Sequence, residues 1–424
     1  MNHAAGDRAK YALGHLICIL ALSGCAVNQG KNIRGTVTSQ ASAGSPEFRQ
    51  SMGPLLGHGF VPGNNIQTLR NGDQIFPSML DAIRHAKRSI NFETYVYTDG
   101  DIGRKLADAL VERAKAGVAI HVILDAQGTS HAGADNLSRM RNAGVMVEKY
   151  HTMFWWDVRR YNNRTHRKLL IVDGRVGFIG GVGIADEWEG NAESPKYWRD
   201  NHYKVTGPVV AQLQSIFMEN WLKTAGTLLN GPDYFPSLAA TGPYQAQAFK
   251  SSPHEGDIDV QLMYLYAVTS ARHSLRIENA YFLPDRRTRE ALIAAAQRGV
   301  KVEILVPGSH IDQKLVRHAS RRYWPGFIKA GIRIYEYEPT MVHVKLLIAD
   351  DMFTSVGSAN FDSRSIRLND EANLNVFDRG FAAQQTRLFE QDKRRSREMR
   401  LDKEGGMLLE APVQQVAGAT ASQL

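Results

Sequence analysis

Two short stretches of the sequence each place a histidine two residues before a lysine and seven residues before an aspartate. Residues i and i+2 of a β-strand project to the same face, so each histidine is expected beside its lysine, while the aspartate does not share that face. Both stretches are followed at the same distance by a glycine-containing turn, and this repetition is a strong signal of function. The members are His166, Lys168 and Asp173 in the first stretch, and His343, Lys345 and Asp350 in the second.

Two histidines and two lysines in one site would suit the cleavage of a phosphodiester. Such an ester is anionic and has a poor leaving group, so a site that cleaves it needs a nucleophile, a proton donor and positive charge around the phosphoryl oxygens. Two histidines and two lysines supply all three without a metal, and we expect no cofactor. A single histidine is more often a buried core residue, but the paired motif favours the catalytic interpretation.

The elements around the motifs alternate between helices and strands, which indicates an α/β layered fold. Apolar spacing predicts helices at 76–86, 102–116 and 137–143, and strands at 89–97, 118–124, 145–150, 166–173 and 176–179. The second half repeats this order: 274–278 matches 89–94, 298–305 matches 116–124, and 329–331 matches 142–144. The sequence therefore predicts a duplicated domain, with the two copies related by a pseudo-twofold axis.

The duplicated motif resembles the phospholipase D superfamily, and its flanks resemble the bacterial cardiolipin synthase branch. The resemblance spans about residues 60–400. It implies two tandem phospholipase D-like α-β-α sandwich domains with the active site at their interface. The flanking segments that carry it are Ile90–Tyr95, Ile277–Asn279, Tyr281–Asp285, Leu305–Gly308 and Asn360–Ser365.

The predicted organisation has six segments. The two domains are separated by a stretch with four prolines, and the polar segments at either end read as a tether and a disordered tail. The segments are a lipoprotein-type signal peptide (1–24), a flexible tether (25–60), a first domain (61–224), a linker (225–256), a second domain (257–402) and a tail (403–424).

The resemblance implies a division of labour between the histidines. His166 would be the nucleophile that forms a covalent phosphohistidine, and His343 the general acid and then base; near-symmetry of the two copies leaves the opposite assignment open. Lys168 and Lys345 would hold the phosphoryl oxygens. Further phosphate-binding or supporting groups are expected from the turns at Gly180, Gly181, Gly357, Ser358 and Asn360.

Each histidine also needs a carboxylate that fixes its tautomer. The family resemblance places one on a strand downstream of each motif. Asp200 is accordingly assigned to His166, and Glu371 to His343.

The motif aspartates, Asp173 and Asp350, are expected to be structural and to cap the turn after the strand. The first copy departs from the family pattern at Gly183, where Asn or Ser is usual, and at Gly181, which replaces the serine found at Ser358. The first half of the site would therefore lack side-chain donors that the second half has.

The composition is that of a globular protein with a basic surface. The 424 residues carry a formal net charge of +8, which suits an anionic partner such as lipid headgroups or nucleic acid. The aromatic run 154–156 would either enter a membrane interface or pack under the active-site loop. The basic residues Arg159, Arg160, Arg164 and Arg167 suit the approach of an anionic lipid.

The leading function is phosphatidyl transfer from one phosphatidylglycerol to another, which gives cardiolipin at a membrane surface. Hydrolysis of a phospholipid to phosphatidic acid would use the same site. A nuclease is disfavoured by the two fused copies and the N-terminal anchor, so no nucleic-acid partner is expected. A non-enzymatic lipid-binding protein is disfavoured because both motifs are intact.

The N-terminal region resembles a bacterial lipoprotein signal. The sequence has two cysteines, Cys18 and Cys25, and the small residues Ser23 and Gly24 precede the second one. We therefore expect a lipid-anchored envelope protein on the periplasmic or external face. The alternative is a peripheral inner-membrane protein with an uncleaved leader.

If the lipoprotein interpretation is correct, the mature chain begins at an acylated Cys25. Cys25→Ala should then abolish lipidation and release the protein from the membrane fraction, as measured by labelling with an alkyne fatty acid and by mass spectrometry. An unlipidated Met1 terminus on the membrane-bound wild-type protein would contradict this expectation.

Overall fold

We describe the protein from a computed structural model, which covers residue 33 and residues 35–129, 133–151 and 163–401. The predicted signal peptide, the tail and the aromatic run 154–156 lie outside these residues. The helices are α1 (Pro46–Leu55), α2 (Asn71–Arg84), α3 (Asp101–Lys115), α4 (Ala134–Asn142), α5 (Val210–Ala225), α6 (Asp259–Ser270), α7 (Arg286–Gln297), α8 (Lys314–Arg321), α9 (Trp324–Lys329), α10 (Ser363–Arg367) and α11 (Arg379–Lys393).

The strands alternate with these helices as the sequence predicts. They are β1 (Val61–Arg70), β2 (Ser89–Thr94), β3 (Ala119–Asp125), β4 (Met146–Tyr150), β5 (Leu169–Val172), β6 (Val176–Gly180), β7 (Asn201–Thr206), β8 (Tyr244–Ser251), β9 (Ser274–Asn279), β10 (Phe282–Leu283), β11 (Lys301–Pro307), β12 (Arg333–Tyr337), β13 (Lys345–Ala349), β14 (Phe353–Gly357), β15 (Phe361–Asp362), β16 (Glu371–Phe377) and β17 (Ser396–Glu398).

Fifteen of the described strands form one continuous sheet, in the order β17-β12-β11-β9-β13-β14-β16-β8-β1-β7-β6-β5-β2-β3-β4. The antiparallel pair β1 and β8 lies at its centre. From this pair outward, the first domain runs β1, β7, β6, β5, β2, β3, β4, and the second runs β8, β16, β14, β13, β9, β11, β12, with β17 added at the edge. The two halves are therefore related by a pseudo-twofold axis, as the repeated sequence predicts.

The strands after the two histidines occupy equivalent central positions. β5 pairs with β2 and β6, and β13 pairs with β9 and β14. Successive side chains of β5 enter different cores, with Leu169 and Ile171 on one face of the sheet and Leu170 and Val172 on the other. The apolar run of each motif is thus explained by a strand buried on both faces.

Helices cover both faces of the sheet. On one face, α5 and α11 share a core that extends across the two domains. On the other face, α2, α3 and α4 cover the first domain, while α1, α6, α7 and α9 cover the second. This is the three-layer α-β-α arrangement that the sequence predicts.

Two predicted boundaries are wrong. The segment expected to be a tether contains α1, whose Phe48 and Met52 are fully buried in the core of the second domain. The expected linker contains β8, which pairs with β1 and β16 in the middle of the sheet. Both elements therefore belong to the folded unit. Three of the four prolines of the connection precede β8, and Pro253 follows it.

The two motif aspartates have the structural role expected of them, but with different partners. The Asp173 carboxylate accepts hydrogen bonds of 2.7–3.1 Å from the backbone N–H groups of residues 87–89. Asp350 accepts equivalent bonds of 2.7–3.1 Å from residues 272–274. Each aspartate thus ties the turn after its own strand to the start of the neighbouring strand, rather than capping only its own turn.

Asp350→Asn should lower the free energy of unfolding by about 1–3 kcal/mol, because one of the two carboxylate acceptors becomes a donor facing backbone N–H groups. Asparagine also tolerates the left-handed backbone at this position, where φ is 52°. Urea unfolding followed by tryptophan fluorescence measures the loss. The adjacent Asp351→Asn is the matched control: φ there is 49° and the side chain is 59% exposed, so its effect should stay within about 0.5 kcal/mol. Equal losses in the two variants would contradict the assigned role.

Candidate active site

The two motifs meet in a cavity of about 360 Å³ between the domains. Both histidines line it, although each is less than 10% exposed. His166 and His343 precede their strands by a few residues, and Lys168 and Lys345 stand at or next to the strand starts. The pseudo-twofold axis therefore brings the two predicted histidine–lysine pairs together.

The carboxylates bind the histidines in the opposite combination to the one predicted. His166 Nδ1 lies 3.0 Å from both carboxylate oxygens of Glu371, and His343 Nδ1 lies 2.8 Å from Asp200 Oδ2. The assignment of Asp200 to His166 and Glu371 to His343 is wrong. Each histidine is oriented by a carboxylate from the other domain.

The sheet order explains why the contacts cross. Strands β7 and β16 lie directly beside the central pair β1 and β8, so the residues at or just before their starts reach the other domain. The backbone N–H of His166 donates to Asp370 O at 2.8 Å, and that of His343 donates to Arg199 O at 2.7 Å. Backbone and side-chain contacts therefore fix each histidine against the segment that carries its carboxylate.

Two serines hold the Glu371 carboxylate. Ser358 Oγ donates to Oε2 at 2.5 Å, and Ser365 Oγ donates to Oε1 at 2.7 Å. The prediction that Ser358 donates to the substrate phosphate is wrong, because its hydroxyl is fully buried and its proton is used on Glu371. Of the two side chains predicted as neutral donors, Asn360 is the one that lines the cavity.

In the other half-site, Trp188 and a glycine replace the serines. Trp188 Nε1 donates to Asp200 Oδ2 at 3.0 Å, and the backbone N–H of Asn201 donates to Oδ1 at 2.8 Å. A Cβ on Gly181 would lie 2.6 Å from the Asp200 carboxylate, so a serine cannot occupy this position without a shift. The missing side-chain donor in the first copy is therefore supplied by an indole.

The other predicted glycines allow close packing beneath the cavity. A Cβ on Gly180 would lie 2.6 Å from His202 Nδ1, and one on Gly357 would lie 2.4 Å from Ala372 O. Their absent side chains let β6 and β14 end against β7 and β16. We assign them a supporting role.

A family model described as "Cardiolipin synthase, PLD-like domain" matches residues 79–221 and 264–393. Cardiolipin synthase A of Pseudomonas fluorescens is 34% identical over 87% of this chain and 76% of its own length. Cardiolipin synthase 2 of Bacillus anthracis is 34% identical over 80% of this chain, which spans 66% of that relative. The chain belongs to the cardiolipin synthase family of phospholipase D-like proteins.

A solved structure supports the fold independently. The phosphatidylserine synthase of Haemophilus influenzae Rd KW20 superposes with a TM-score of 0.70 at 16% identity, over 88% of this chain and 97% of that one. Membership of the family confirms the predicted superfamily, its two-domain fold and the class of enzyme, a phosphatidyltransferase of the phospholipase D superfamily.

Burial keeps both histidines of this family member neutral. It lowers the pKa of His166 to about 4, although Glu371 opposes the shift. The pKa of His343 also lies well below its usual range, because of burial and the charges of Lys345 and Lys168. With Nδ1–H donated to a carboxylate, each ring has an unprotonated Nε2, as a nucleophile or general base requires.

The pKa values of the two carboxylates are shifted in opposite directions. Burial raises the pKa of Glu371, but the nearby His166 and Lys168 outweigh that effect and the pKa is lowered overall. Burial raises the pKa of Asp200 to about 6 despite the opposing effect of Lys345. The carboxylate behind His166 is therefore the more firmly ionised of the two.

The two lysines share a backbone contact, but Lys345 Nζ also lies 3.1 Å from both ring nitrogens of His343. Lys168 and Lys345 each donate through Nζ to the carbonyl of the histidine two residues before them, at 2.7 Å. Each Nζ also lies near an aromatic ring, 5.5 Å from the centroid of Tyr95 and 5.9 Å from that of Tyr281, respectively. Burial lowers the pKa of Lys168 to about 7 and that of Lys345 to about 8.

Several cavity residues carry no signal in the duplicated motif. Arg164 is among them, and it was expected only as part of a basic approach. The others were not assigned a site role from the sequence; they are Tyr95, Trp188, Trp198, Asp312 and Arg364. By contrast, Arg167 is fully buried, and its guanidinium donates to Ile216 O and Ser252 Oγ, so the predicted contribution of Arg167 to a basic approach is wrong.

The described residues contain no group of three or more potential metal ligands. In the same part of the chain, no helix has the length and apolar character needed to cross a membrane.

Because the lysines must be protonated to hold an anionic phosphoryl group, kcat/KM should fall as the pH rises through about 7 to 8. A bound anion favours the protonated lysines and raises their pKa, so the fall in kcat should lie at higher pH. Initial rates on a soluble short-chain phospholipid between pH 5.5 and 9.5 measure both the fall in kcat/KM and the fall in kcat. A kcat/KM that stays constant or rises from pH 7 to 9 would contradict this assignment.

Proposed function

We propose that this chain makes cardiolipin from two phosphatidylglycerol molecules by phosphatidyl transfer through a phosphohistidine on His166. The observation that supports this most directly is the pair of neutral imidazoles that line one cavity, each oriented by a carboxylate of the other domain and accompanied by the lysine of its own motif. The names of its relatives support cardiolipin as the product.

The first step cleaves the donor lipid. His166 Nε2 attacks phosphorus, and the bond from phosphorus to the glycerol oxygen breaks. His343 gives its Nε2 proton to that oxygen, so neutral glycerol leaves. His343 is neutral in the empty site, and the arriving phosphate anion favours the protonated imidazole that this step needs.

The second step transfers the phosphatidyl group. The glycerol hydroxyl of a second phosphatidylglycerol attacks phosphorus while His343 takes up its proton. The bond between phosphorus and His166 breaks, and the histidine is restored. Lys168 and Lys345 counter the negative charge on the phosphoryl oxygens in both steps.

The surroundings of the histidines support His166 as the nucleophile. Glu371 remains ionised and can stabilise the positive charge that His166 acquires on attack. Arg164 lies on the same side, and its guanidinium donates to Tyr95 Oη at 2.8 Å. The Tyr95 ring in turn packs edge-on against His166, with 5.3 Å between the two ring centroids. A phosphatidyl anion bound to His166 would therefore lie near a cation.

A phospholipid substrate requires the cavity to meet a lipid surface. We propose that the N-terminal segment, with Cys25 as a lipid anchor, holds the two domains at the envelope membrane. Neither proposal depends on the other, because the site would act on phosphatidylglycerol with or without an anchor.

The direct test is to incubate the purified protein with phosphatidylglycerol vesicles and to identify the products by mass spectrometry. We expect cardiolipin together with an equal amount of glycerol. Phosphatidic acid as the sole lipid product, again with an equal amount of glycerol, would assign hydrolysis to the same site, and no turnover of any phospholipid would refute the proposal.

The division of labour can be tested with an activated ester. A general acid is partly dispensable when the leaving group has a low pKa, whereas the nucleophile is not. We expect His343→Ala to lose about 10²–10⁴-fold on phospholipid and to recover much of this on a nitrophenyl ester. His166→Ala should stay inactive on both.

The crossed contacts extend this test to the carboxylates. Asp200→Asn should behave like His343→Ala and recover on the nitrophenyl ester, while Glu371→Gln should behave like His166→Ala and recover little. The two variants are matched controls for each other, since each removes one buried carboxylate. The reverse pattern in the carboxylates alone would contradict the crossed geometry; the reverse pattern in all four variants would exchange the roles of the histidines.

A further inference from the structure

The cavity wall on the His343 side carries a carboxylate, which is unexpected in a site for anionic lipids. Asp312 lines the cavity and is exposed to it. Tyr281 Oη lies 2.8 Å from both carboxylate oxygens of Asp312. The Tyr281 ring faces His343 edge-on, with 6.0 Å between the two ring centroids. Asp312 is thus placed one aromatic ring away from the general acid.

The two half-sites therefore differ in charge at matching places. Next to His166, a tyrosine hydroxyl accepts a hydrogen bond from Arg164; next to His343, a tyrosine hydroxyl donates to Asp312. Arg364 also lines the cavity and lies close enough to Arg164 for each charge to affect the other. Asp362 also lines the cavity, near Arg364, and its carboxylate caps α10 by accepting a backbone N–H at 2.8 Å. The side next to His166 therefore presents two arginines beside a capping carboxylate, whereas the side next to His343 presents Asp312.

The hydrogen bonds of Asp312 leave it acceptor capacity. Besides Tyr281, it accepts the backbone N–H of Gln313 at 2.8 Å, with the Gln313 amide at 3.4 Å. Within the described residues, none of its oxygens lies within 4.0 Å of a lysine, arginine or histidine nitrogen. A carboxylate has about four lone-pair sites, so at least one remains for a donor in the cavity.

We propose that Asp312, held by Tyr281, is a hydroxyl-binding subsite that recognises the non-reacting hydroxyls of a glycerol headgroup. The subsite would first hold the leaving glycerol and then the headgroup of the acceptor lipid. This proposal rests on the proposed function, because it places the leaving glycerol and the acceptor headgroup of that same reaction at the wall next to His343.

The charge of the wall selects this class of ligand. A phosphate beside Asp312 would be repelled, so the phosphatidyl group belongs on the side of Arg164 and Arg364. A glycerol headgroup is neutral at its free hydroxyls and can donate to the carboxylate. Lys345 lies close enough to Asp312 for the carboxylate to oppose the lowering of the lysine pKa. The negative charge of Asp312 is therefore already partly balanced, and the ligand itself need not be a cation.

Hydroxyl binding also favours transfer over hydrolysis. An acceptor that donates a second hydroxyl to Asp312 is held with its reacting hydroxyl beside His343, whereas a water molecule gains nothing from that contact. Removing the contact should therefore lower the share of the phosphatidylhistidine that goes to glycerol-bearing acceptors.

Two soluble acceptors isolate the contact. With phosphatidylglycerol as donor, transfer to deuterated glycerol and to 1-propanol can be measured as labelled phosphatidylglycerol and phosphatidylpropanol. The two acceptors share a reacting primary hydroxyl, but propanol lacks the hydroxyls that would reach Asp312. We expect the wild-type protein to prefer glycerol over propanol. Asp312→Ala should lower the ratio of glycerol product to propanol product by about tenfold, which is the effect of one hydrogen bond to a charged group.

The matched control is Asp351→Asn, which removes an exposed carboxylate paired with Arg276 outside the cavity. It should leave the ratio of the two products unchanged. Tyr281→Phe, which removes the hydroxyl that holds Asp312, should reduce the preference in the same direction as Asp312→Ala.

Three outcomes would overturn the inference. The first is an unchanged glycerol preference in Asp312→Ala with retained turnover, and the second is a wild-type protein with no glycerol preference. The third is an Asp312→Ala variant that loses transfer to ethanolamine more than transfer to glycerol, which would show that the wall binds an ammonium group. A wild-type protein that cannot turn over phosphatidylglycerol would instead refute the proposed function, so the two failures are distinguishable.

Discussion

The structure depends on two imidazole–carboxylate contacts that cross the boundary between the domains. Each domain supplies the histidine of one pair and the carboxylate of the other, so neither domain contains a complete site. The relative position of the domains must therefore be fixed to within hydrogen-bond tolerance. The continuous sheet provides this, together with the fully buried ion pair between Arg199 and Asp392, 2.7 Å apart, which holds the segment next to Asp200 against the second domain.

Burial gives the site its reactivity. Two histidines and two lysines are removed from water together, which lowers the pKa of all four. The empty site consequently carries less positive charge than its composition suggests, and an anionic phosphoryl group restores the protonated forms that it needs. Binding and activation are thus coupled, and the proposed Asp312 subsite would hold the neutral headgroup away from the arginines that attract the anion.

Much of this could be predicted from the sequence. Lys168 and Lys345 follow from the i, i+2 spacing, and the duplication follows from the repeated order of apolar segments. The crossed carboxylates could not be predicted, because a motif shows which residues recur in a copy but not which domain a loop beside the central strands will face. β8 was missed because Tyr244–Ser251 has few large apolar residues beside a proline-rich stretch. Ser358 was misassigned since its spacing does not show that Glu371 takes its proton.

The crossed pairing is tested most directly by the imidazole ¹⁵N signals of protein labelled at histidine, assigned with His166→Gln and His343→Gln. The crossed geometry predicts that Glu371→Gln changes the Nδ1 signal of His166 and leaves that of His343 almost unchanged, while Asp200→Asn changes only the signal of His343. A change at His166 on loss of Asp200, with His343 unaffected, would show that each domain orients its own histidine and would contradict the account.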